Sequence, residues 1–312
     1  MYLERKIAVS VPCYNESELI LDTLEGIPDF VDKIFIVDDG STDSTIDKVE
    51  NWISNKDNFS LIKHEINKGL GNTIRTGYQK SYDEKFDITV VMAGDNQMDP
   101  KYLPDLIRPI ISEGYEYTKG NRLSHKDHNK MPLFRKFGNS VLSLLTKIST
   151  GYWNIVDPQN GYTAISSNAL GHVLEGKIAG GYGYNSDILS SLNINNHRVK
   201  DILIPPVYKT ETSGIKIGRY TVKTSWILLS GFFRRIHSKY GGLRFHPLLL
   251  YYYAAFSFGI LSLVLISRML YFKYYIEGFF PTNTTLATFF SLIATMQFLL
   301  FSFWMDMQEI EK

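Results

Sequence analysis

Residues able to do chemistry concentrate in three short clusters. They are Pro12-Cys13-Tyr14-Asn15-Glu16, Asp38-Asp39-Gly40-Ser41-Thr42-Asp43 and Ala93-Gly94-Asp95-Asn96-Gln97-Met98-Asp99. Each is rich in carboxylates, amides or hydroxyls, the groups that hydrogen-bond a polar ligand. Each also follows directly on a short apolar run, at residues 6–12, 33–37 and 87–92. Runs of that length and composition predict β-strands, as does 59–63. Ligands of open α/β sheets bind beyond the carboxyl ends of the strands. One acidic turn could be ordinary loop chemistry. Three in register with strand ends predict a site assembled along one sheet edge.

The elements that must carry these clusters alternate between strand and helix. Asn15 opens a polar turn with Glu18 placed as its capping-box partner, and a helix is expected through Leu24. Another helix should run from the second cluster to about Ser54. Such alternation predicts an α/β domain, a mostly parallel sheet with helices on both faces and right-handed crossovers. The opening residues, MYLERKIAVSVP, read as the first strand and not as a signal peptide.

Composition removes several alternatives. The net charge of +1 over 312 residues gives no general reason to expect a nucleic-acid partner. A single cysteine, Cys13, permits no intramolecular disulfide and no Cys-based zinc site, which suits a cytosolic catalytic domain. The seven histidines are scattered without metal-ligand spacing.

The apolar character is concentrated after residue 245. Residues 247–267 carry no charge, and neither do residues 279–305. Each run is long enough to cross a hydrocarbon core of about 30 Å. From Thr212 to Ile276 there is no acidic residue, and Lys216, Arg219, Lys223, Arg234, Arg235, Lys239 and Arg244 precede the first run. The positive-inside rule therefore predicts an integral membrane protein of two spans, with the catalytic domain and both termini cytoplasmic. Residues 219–240 mix aromatic, aliphatic and basic side chains and read as a helix lying on an anionic leaflet. The expected domains are a catalytic domain over 1–215, a basic juxtamembrane segment over 216–244 and a two-helix hairpin with a short tail over 245–312. The anchor could support a homo-oligomer.

The three clusters, together with Asn67-Lys68-Gly69-Leu70-Gly71-Asn72, Gly120-Asn121-Arg122, residues 135–139 and Asp157-Pro158-Gln159-Asn160-Gly161-Tyr162, resemble the family 2 glycosyltransferases of GT-A fold. Within them the chain looks like the dolichol-phosphate mannose synthase group, over roughly residues 5 to 215. That resemblance implies inverting transfer of a sugar from a UDP- or GDP-linked donor to a polyprenyl phosphate. It implies that Pro12, Tyr14, Glu16, Asp38, Asp39, Asn67 and Gly71 serve the nucleotide. It also implies a divalent cation, Mg2+ or Mn2+, on Asp95 and Gln97, with Asp99 as a further candidate. The family's Asp-x-Asp signature is altered here, because Ala93 stands at its first position. Arg122 and Arg135 match the pair that grips the acceptor phosphate, and Asn139 stands where that group tends to have Ser. Asp157 could orient the sugar or Arg135, and Asp187 could contact sugar hydroxyls. The glycine-rich stretch 176–183 could form a flap over the donor. Lys216 could reach phosphate or lipid headgroups. A rival reading keeps the transferase but gives it a hydroxyl acceptor, for which Asp157 or Asp187 would serve as base. A second rival is a non-catalytic membrane subunit, for which Ala93 is the support.

Overall fold

Strand β1, Ile7–Cys13, is buried along its whole length, as expected of a central strand covered on both faces. It belongs to a computed structural model that describes residues 2–124, 133–181, 183–205, 217–242, 246–276 and 278–309, the side chains of 133–139 and 217–223 excepted. The chain divides into two units, Met1–Arg235 and Ile236–Lys312.

In the first unit β1 leads through α1 (Ile20–Glu25) to β2 (Lys33–Asp38), and through α2 (Thr45–Ile53) to β3 (Phe59–Lys63). There follow α3 (Leu70–Asp83), β4 (Ile88–Val91), α4 (Leu103–Ser112), β5 (Tyr117–Asn121) and α5 (Leu133–Thr150). The unit continues with β6 (Thr163–Ser166), α6 (Ser167–Glu175), α7 (Tyr184–Ile194), β7 (Val199–Leu203) and most of α8 (Ile217–Tyr240). The seven strands are ordered β3-β2-β1-β4-β6-β5-β7. Alternate residues of β1 feed opposite faces. Ile7, Val9 and Val11 pack with Ile20, Leu24, Leu106 and Ile107, while the second core gathers Ile74, Tyr78, Leu170, Ile188 and Leu189.

Pairing is parallel among β3, β2, β1 and β4, and between β5 and β7, while β6 is antiparallel to β4 and to β5. Alternation of strand and helix does not reveal that reversal. Its effect is chemical, because β6 starts at the edge where β1, β2, β4 and β5 end. The loop leading into β6 therefore joins the strand-end clusters.

The capping box expected at Asn15 is not formed. Helix α1 begins only at Ile20, behind Leu19, with no side-chain cap. Asn15 instead adopts a positive φ of 56° and its Oδ1 accepts from the Thr42 amide at 2.8 Å, tying the first cluster to the second. The reason is proximity: Cys13 pairs with Asp38 across the two strands, so the loops beyond them adjoin.

The second unit contains α9 (Pro247–Tyr271) and α10 (Thr282–Gln308). The stretch Pro247–Ile276 has mean hydropathy 2.0 and Thr282–Gln308 has 1.8, and only 22 % and 17 % of their apolar windows are buried. Core helices of a soluble protein would be covered, so these two fit a membrane protein with two spans. Ser262 Oγ and Ser291 Oγ meet at 2.9 Å between the helices, and Tyr240 donates to Asp306 at 3.1 Å.

Candidate active site

The strand register brings the three clusters together. The Asp39 amide donates to the Cys13 carbonyl at 2.9 Å, and the Gly94 amide donates to the Pro12 carbonyl at 3.0 Å. β5 delivers Arg122 to the same edge, and the loop before β6 delivers Asp157 to Gly161. Between them lies a cavity of about 330 Å³. Its wall includes Pro12, Ala93, Asp95, Gln97, Met98 and Arg122 from the strand ends. Gln159, Asn160 and Gly161 come from the loop, Leu70 and Ile74 from α3, and Tyr184 and Asn185 from α7.

Among the expected residues, Pro12, Asp95, Gln97 and Arg122 line this cavity, whereas Tyr14, Glu16, Asp38, Asp39, Asn67 and Gly71 do not. Asp38 is fully buried and builds the turn after β2, its Oδ2 accepting from the Gly40 and Ser41 amides at 3.0 and 2.9 Å. Asp39 holds the next loop, accepting from the Lys68 and Gly69 amides at 2.9 and 2.8 Å and from His64 at 2.8 Å. Burial raises the Asp39 carboxyl pKa, but those hydrogen bonds outweigh it and keep the group below the usual carboxylate range. Tyr14 and Asn67 are both exposed.

Gly71 serves packing. Its amide donates to the Gly180 carbonyl at 2.9 Å, and a Cβ there would sit 1.9 Å from the Ala179 carbonyl oxygen. Gly69, at φ +87°, would bring a Cβ within 2.5 Å of Gly180. The described part of the glycine-rich stretch is thus seated on the N-terminus of α3, not detached above the cavity.

The metal question turns on donor chemistry. Asp95 offers a carboxylate and Gln97 a carboxamide, and Asp95 Oδ1 accepts from the Gln97 amide at 3.1 Å, which fixes the turn. Ala93 contributes no donor. Asp99 is absent from the cavity wall: it caps the short 3-10 turn Pro100–Tyr102 and pairs with Lys101 at 2.6 Å. One carboxylate and one amide fit an Mg2+ or Mn2+ that takes its remaining oxygens from substrate phosphates and water. Among the described residues no group of three His, Cys, Asp or Glu could hold a metal alone.

Arg122, on the cavity wall, is ion-paired with Asp157. Asp157, 2 % exposed, accepts from Arg122 Nε at 2.9 Å, Nη2 at 3.3 Å and the Arg122 amide at 3.2 Å. Behind the pair lies Lys119, fully buried, donating to the Asn160 carbonyl and to Asn185 Oδ1 at 2.7 Å. Burial lowers its pKa to about 7, with Asp157 and Asp201 opposing the fall and Arg122 adding to it. Burial likewise pushes Asp201 up to about 6, against the hydrogen bond from the Val156 amide and the charge of Lys119. Lys119 and Asn185 were missed in sequence, and Asn160 entered only as part of the Asp157–Tyr162 motif. The available signal was a lysine inside a strand, Tyr117–Asn121, that is buried throughout.

Asp187 does not reach the cavity wall. Both carboxylate oxygens are engaged, Oδ1 by Arg234 at 2.6 Å and Oδ2 by the Ala179 amide at 2.9 Å. These contacts tie the flank of α7 to α8 and to the loop at Ala179. The Arg135 and Asn139 side chains and Lys216 lie outside the described residues.

The family model described as Glycosyl transferase family 2 matches residues 8–174, more than half of the chain. The chain belongs to glycosyl transferase family 2. Within that family it is similar to a UDP-N-acetylglucosamine–dolichyl-phosphate N-acetylglucosaminyltransferase of Methanococcus voltae, 33 % identical over 66 % of this chain and 87 % of the relative. It is also similar to an undecaprenyl-phosphate mannosyltransferase of Micrococcus luteus, 25 % identical over 59 % of this chain and 76 % of that one. The fold is shared with glucosyl-3-phosphoglycerate synthase from Mycobacterium tuberculosis, solved with Mn2+, UDP and its product, at TM-score 0.58 and 19 % identity over 74 % of this chain and 81 % of that one. The family 2 assignment agrees with the GT-A architecture.

Proposed function

We propose that this family 2 enzyme transfers a sugar from a UDP- or GDP-linked donor to a polyprenyl phosphate. The observation that carries the reading is one cavity lined by Asp95 and Gln97 together with Arg122. The first two suit a cation-bound diphosphate, and the arginine suits an anionic acceptor. The named substrates of the Methanococcus voltae and Micrococcus luteus relatives support the same pairing of nucleotide donor with lipid phosphate.

In this mechanism an acceptor phosphate oxygen attacks the anomeric carbon as the bond from that carbon to the diphosphate oxygen breaks, with inversion. The nucleoside diphosphate leaves with the bonding electron pair. A divalent cation, when bound by Asp95 and Gln97, neutralises charge on the leaving diphosphate. Pro12 borders the donor side. Asp38 and Asp39 act by holding the loops around the nucleotide, and Tyr14, Glu16 and Asn67 serve the base and ribose in this reading. Arg122 positions the acceptor, and Asp157 fixes the guanidinium plane. The resemblance assigns Arg135 and Asn139 to the acceptor phosphate as well. The acceptor is already an anion at neutral pH, so no general base is required.

The catalytic domain and both termini are assigned to the cytoplasmic side on the excess of basic residues before the first span.

The test offers the purified full-length protein polyprenyl phosphate, Mn2+ or Mg2+ and a panel of labelled UDP- and GDP-sugars. Label in organic-extractable lipid from one donor, lost in Asp95→Asn and reduced at least tenfold in Arg122→Ala, is the expected result. No labelled lipid from any donor, with nucleotide binding intact, refutes the lipid-phosphate acceptor.

A further inference from the structure

Arg234 and Arg235 were counted in the sequence as basic residues facing a membrane surface, yet Arg235 is buried and the half-buried Arg234 is ion-paired within the protein. Arg235 is fully buried and donates to the carbonyls of Ser149 and Ile148 at 2.9 and 3.1 Å, at the C-terminal end of α5. A cation there satisfies carbonyls that the helix leaves open. Arg234 turns toward α7, where it meets Asp187 at 2.6 Å, a carboxylate side chain only 8 % exposed. Ser149 Oγ donates to the Leu228 carbonyl at 2.7 Å, and a Cβ on Gly183 would lie 2.8 Å from Ile227. The middle of α8 is therefore docked on the catalytic unit at four independent points.

One of those points leads by direct contacts to the cavity wall. Asp187 receives Arg234 on one oxygen and the Ala179 amide on the other. The adjacent Gly180 carbonyl accepts from the Gly71 amide. The fit is tight, since Gly69 and Gly71 each lack the Cβ that would collide with residues 179–180. Helix α3 starts at this contact, and its Leu70 and Ile74 line the cavity together with Tyr184 from the start of α7. The same segment is held from the other side by Asp39, through the Lys68 and Gly69 amides.

We propose that Arg234 is a positioning residue of the donor site: its ion pair with Asp187 clamps the 179–181 loop onto the N-terminus of α3 and so fixes the Leu70–Tyr184 wall. The proposal rests on reading this cavity as the place where the sugar nucleotide binds. It gives α8 a task in donor binding, since the docking of this helix is felt at the wall. Among the described residues, loss of the pair leaves the carboxylate to the Ala179 amide alone, and the loop can part from α3.

The experiment compares wild type, Arg234→Met and Arg234→Lys as full-length protein in detergent. Amide hydrogen exchange is followed over residues 69–72 and 178–181. Affinities for UDP-N-acetylglucosamine, GDP-mannose, UDP and GDP are measured by calorimetry. In Arg234→Met, exchange over both segments is expected to quicken at least tenfold. Affinity for the sugar nucleotide that wild type accepts should fall about tenfold, and in turnover the donor KM should rise with kcat little changed. Arg234→Lys should retain most of the wild-type values. If Arg234→Met does not fold, Asp187→Asn replaces it, keeping shape and an acceptor for Ala179 while discharging the pair. Unchanged exchange overturns the proposal, and so does faster exchange with unaltered sugar-nucleotide affinity. A wild type that binds none of the four nucleotides overturns both the donor-site reading and this one. A wild type that binds its donor but labels no lipid sinks the acceptor reading alone, and the Arg234 comparison still decides the clamp.

Discussion

Replacing Lys119 by methionine isolates one buried charge beneath the site. The side chain is fully buried, and burial lowers its pKa from 10.5 to about 7, against the attraction of Asp157 and Asp201. The unfolded chain therefore binds more protons than the folded one between those two values. A depressed folded-state pKa contributes stability that is fully present above the unfolded pKa and lost as pH falls through the folded one. Wild type should thus gain stability as pH rises above 7, at up to about 1.4 kcal/mol per pH unit. Integrated from pH 7 to 9, with the half-titration at pH 7 included, the gain is about 2 kcal/mol. Methionine carries no proton, so Lys119→Met lacks this gain. Cys13, whose thiol burial pushes up, and the buried tyrosines titrate in both proteins and largely cancel in the difference. Asp201, near 6, loses its contribution below this window. Removal of Lys119 drives it higher, which widens the gap in the same direction. The assay is thermal unfolding of full-length wild type and Lys119→Met in detergent at pH 7 and pH 9. The wild-type midpoint should rise relative to the variant by about 4–8 °C between the two. A difference between the proteins that stays constant over that range refutes the reasoning, for Lys119 would then not change charge in the fold.

Three further outcomes follow from the same geometry. Gly71→Ala puts a Cβ 1.9 Å from the Ala179 carbonyl oxygen. It should cost about 1–3 kcal/mol in thermal unfolding and weaken sugar-nucleotide binding measured by calorimetry. Ala93→Asp adds a second carboxylate to the wall that holds Asp95, and the Mn2+ concentration giving half-maximal transfer should fall several-fold in a metal titration. Arg122→Ala strips Asp157 of two side-chain hydrogen bonds in a nearly fully buried position. It should lower stability by about 1–3 kcal/mol and raise the acceptor KM more than the donor KM in steady-state kinetics.

The sheet was legible because central parallel strands must be apolar along their length, and the runs at 6–12, 33–37, 59–63 and 87–92 have no other reading of comparable economy. The strand-end clusters were legible for the same reason, since polar residues directly after such runs can only face the sheet edge. Pattern did not reveal the antiparallel entry of β6, whose four residues, Thr163–Ser166, carry no directional signal. Individual carboxylates were also hard to read. Asp38, Asp39 and Asp187 have the residue type that binds ligands, and each also accepts from backbone amides or an arginine of its own chain. A carboxylate near a site serves the fold or the ligand according to which donors lie within hydrogen-bond distance, and that depends on contacts 25 to 47 residues apart in sequence, such as Asp39 with His64 and Asp187 with Arg234. Lys119 was hidden differently, since a lysine in a short strand ordinarily points to solvent.

The state of those carboxylates bears on which acceptor the site suits. A hydroxyl acceptor needs a base that can take its proton in the transition state. Asp157 receives the Arg122 amide and two guanidinium N–H groups, and Asp187 receives Arg234 and the Ala179 amide. Protonating either would weaken the contacts that hold the loop before β6 or the seat of α8. Asp95 does line the cavity, but a carboxylate engaged with a cation is a poor proton acceptor. A phosphate acceptor asks for none of this. It brings its own charge, needs cationic positioning, and meets Arg122 already oriented by Asp157. The site therefore suits an acceptor that arrives deprotonated, which is why loss of Arg122 should fall on the acceptor KM, whereas a base would announce itself through a pH-dependent loss of kcat.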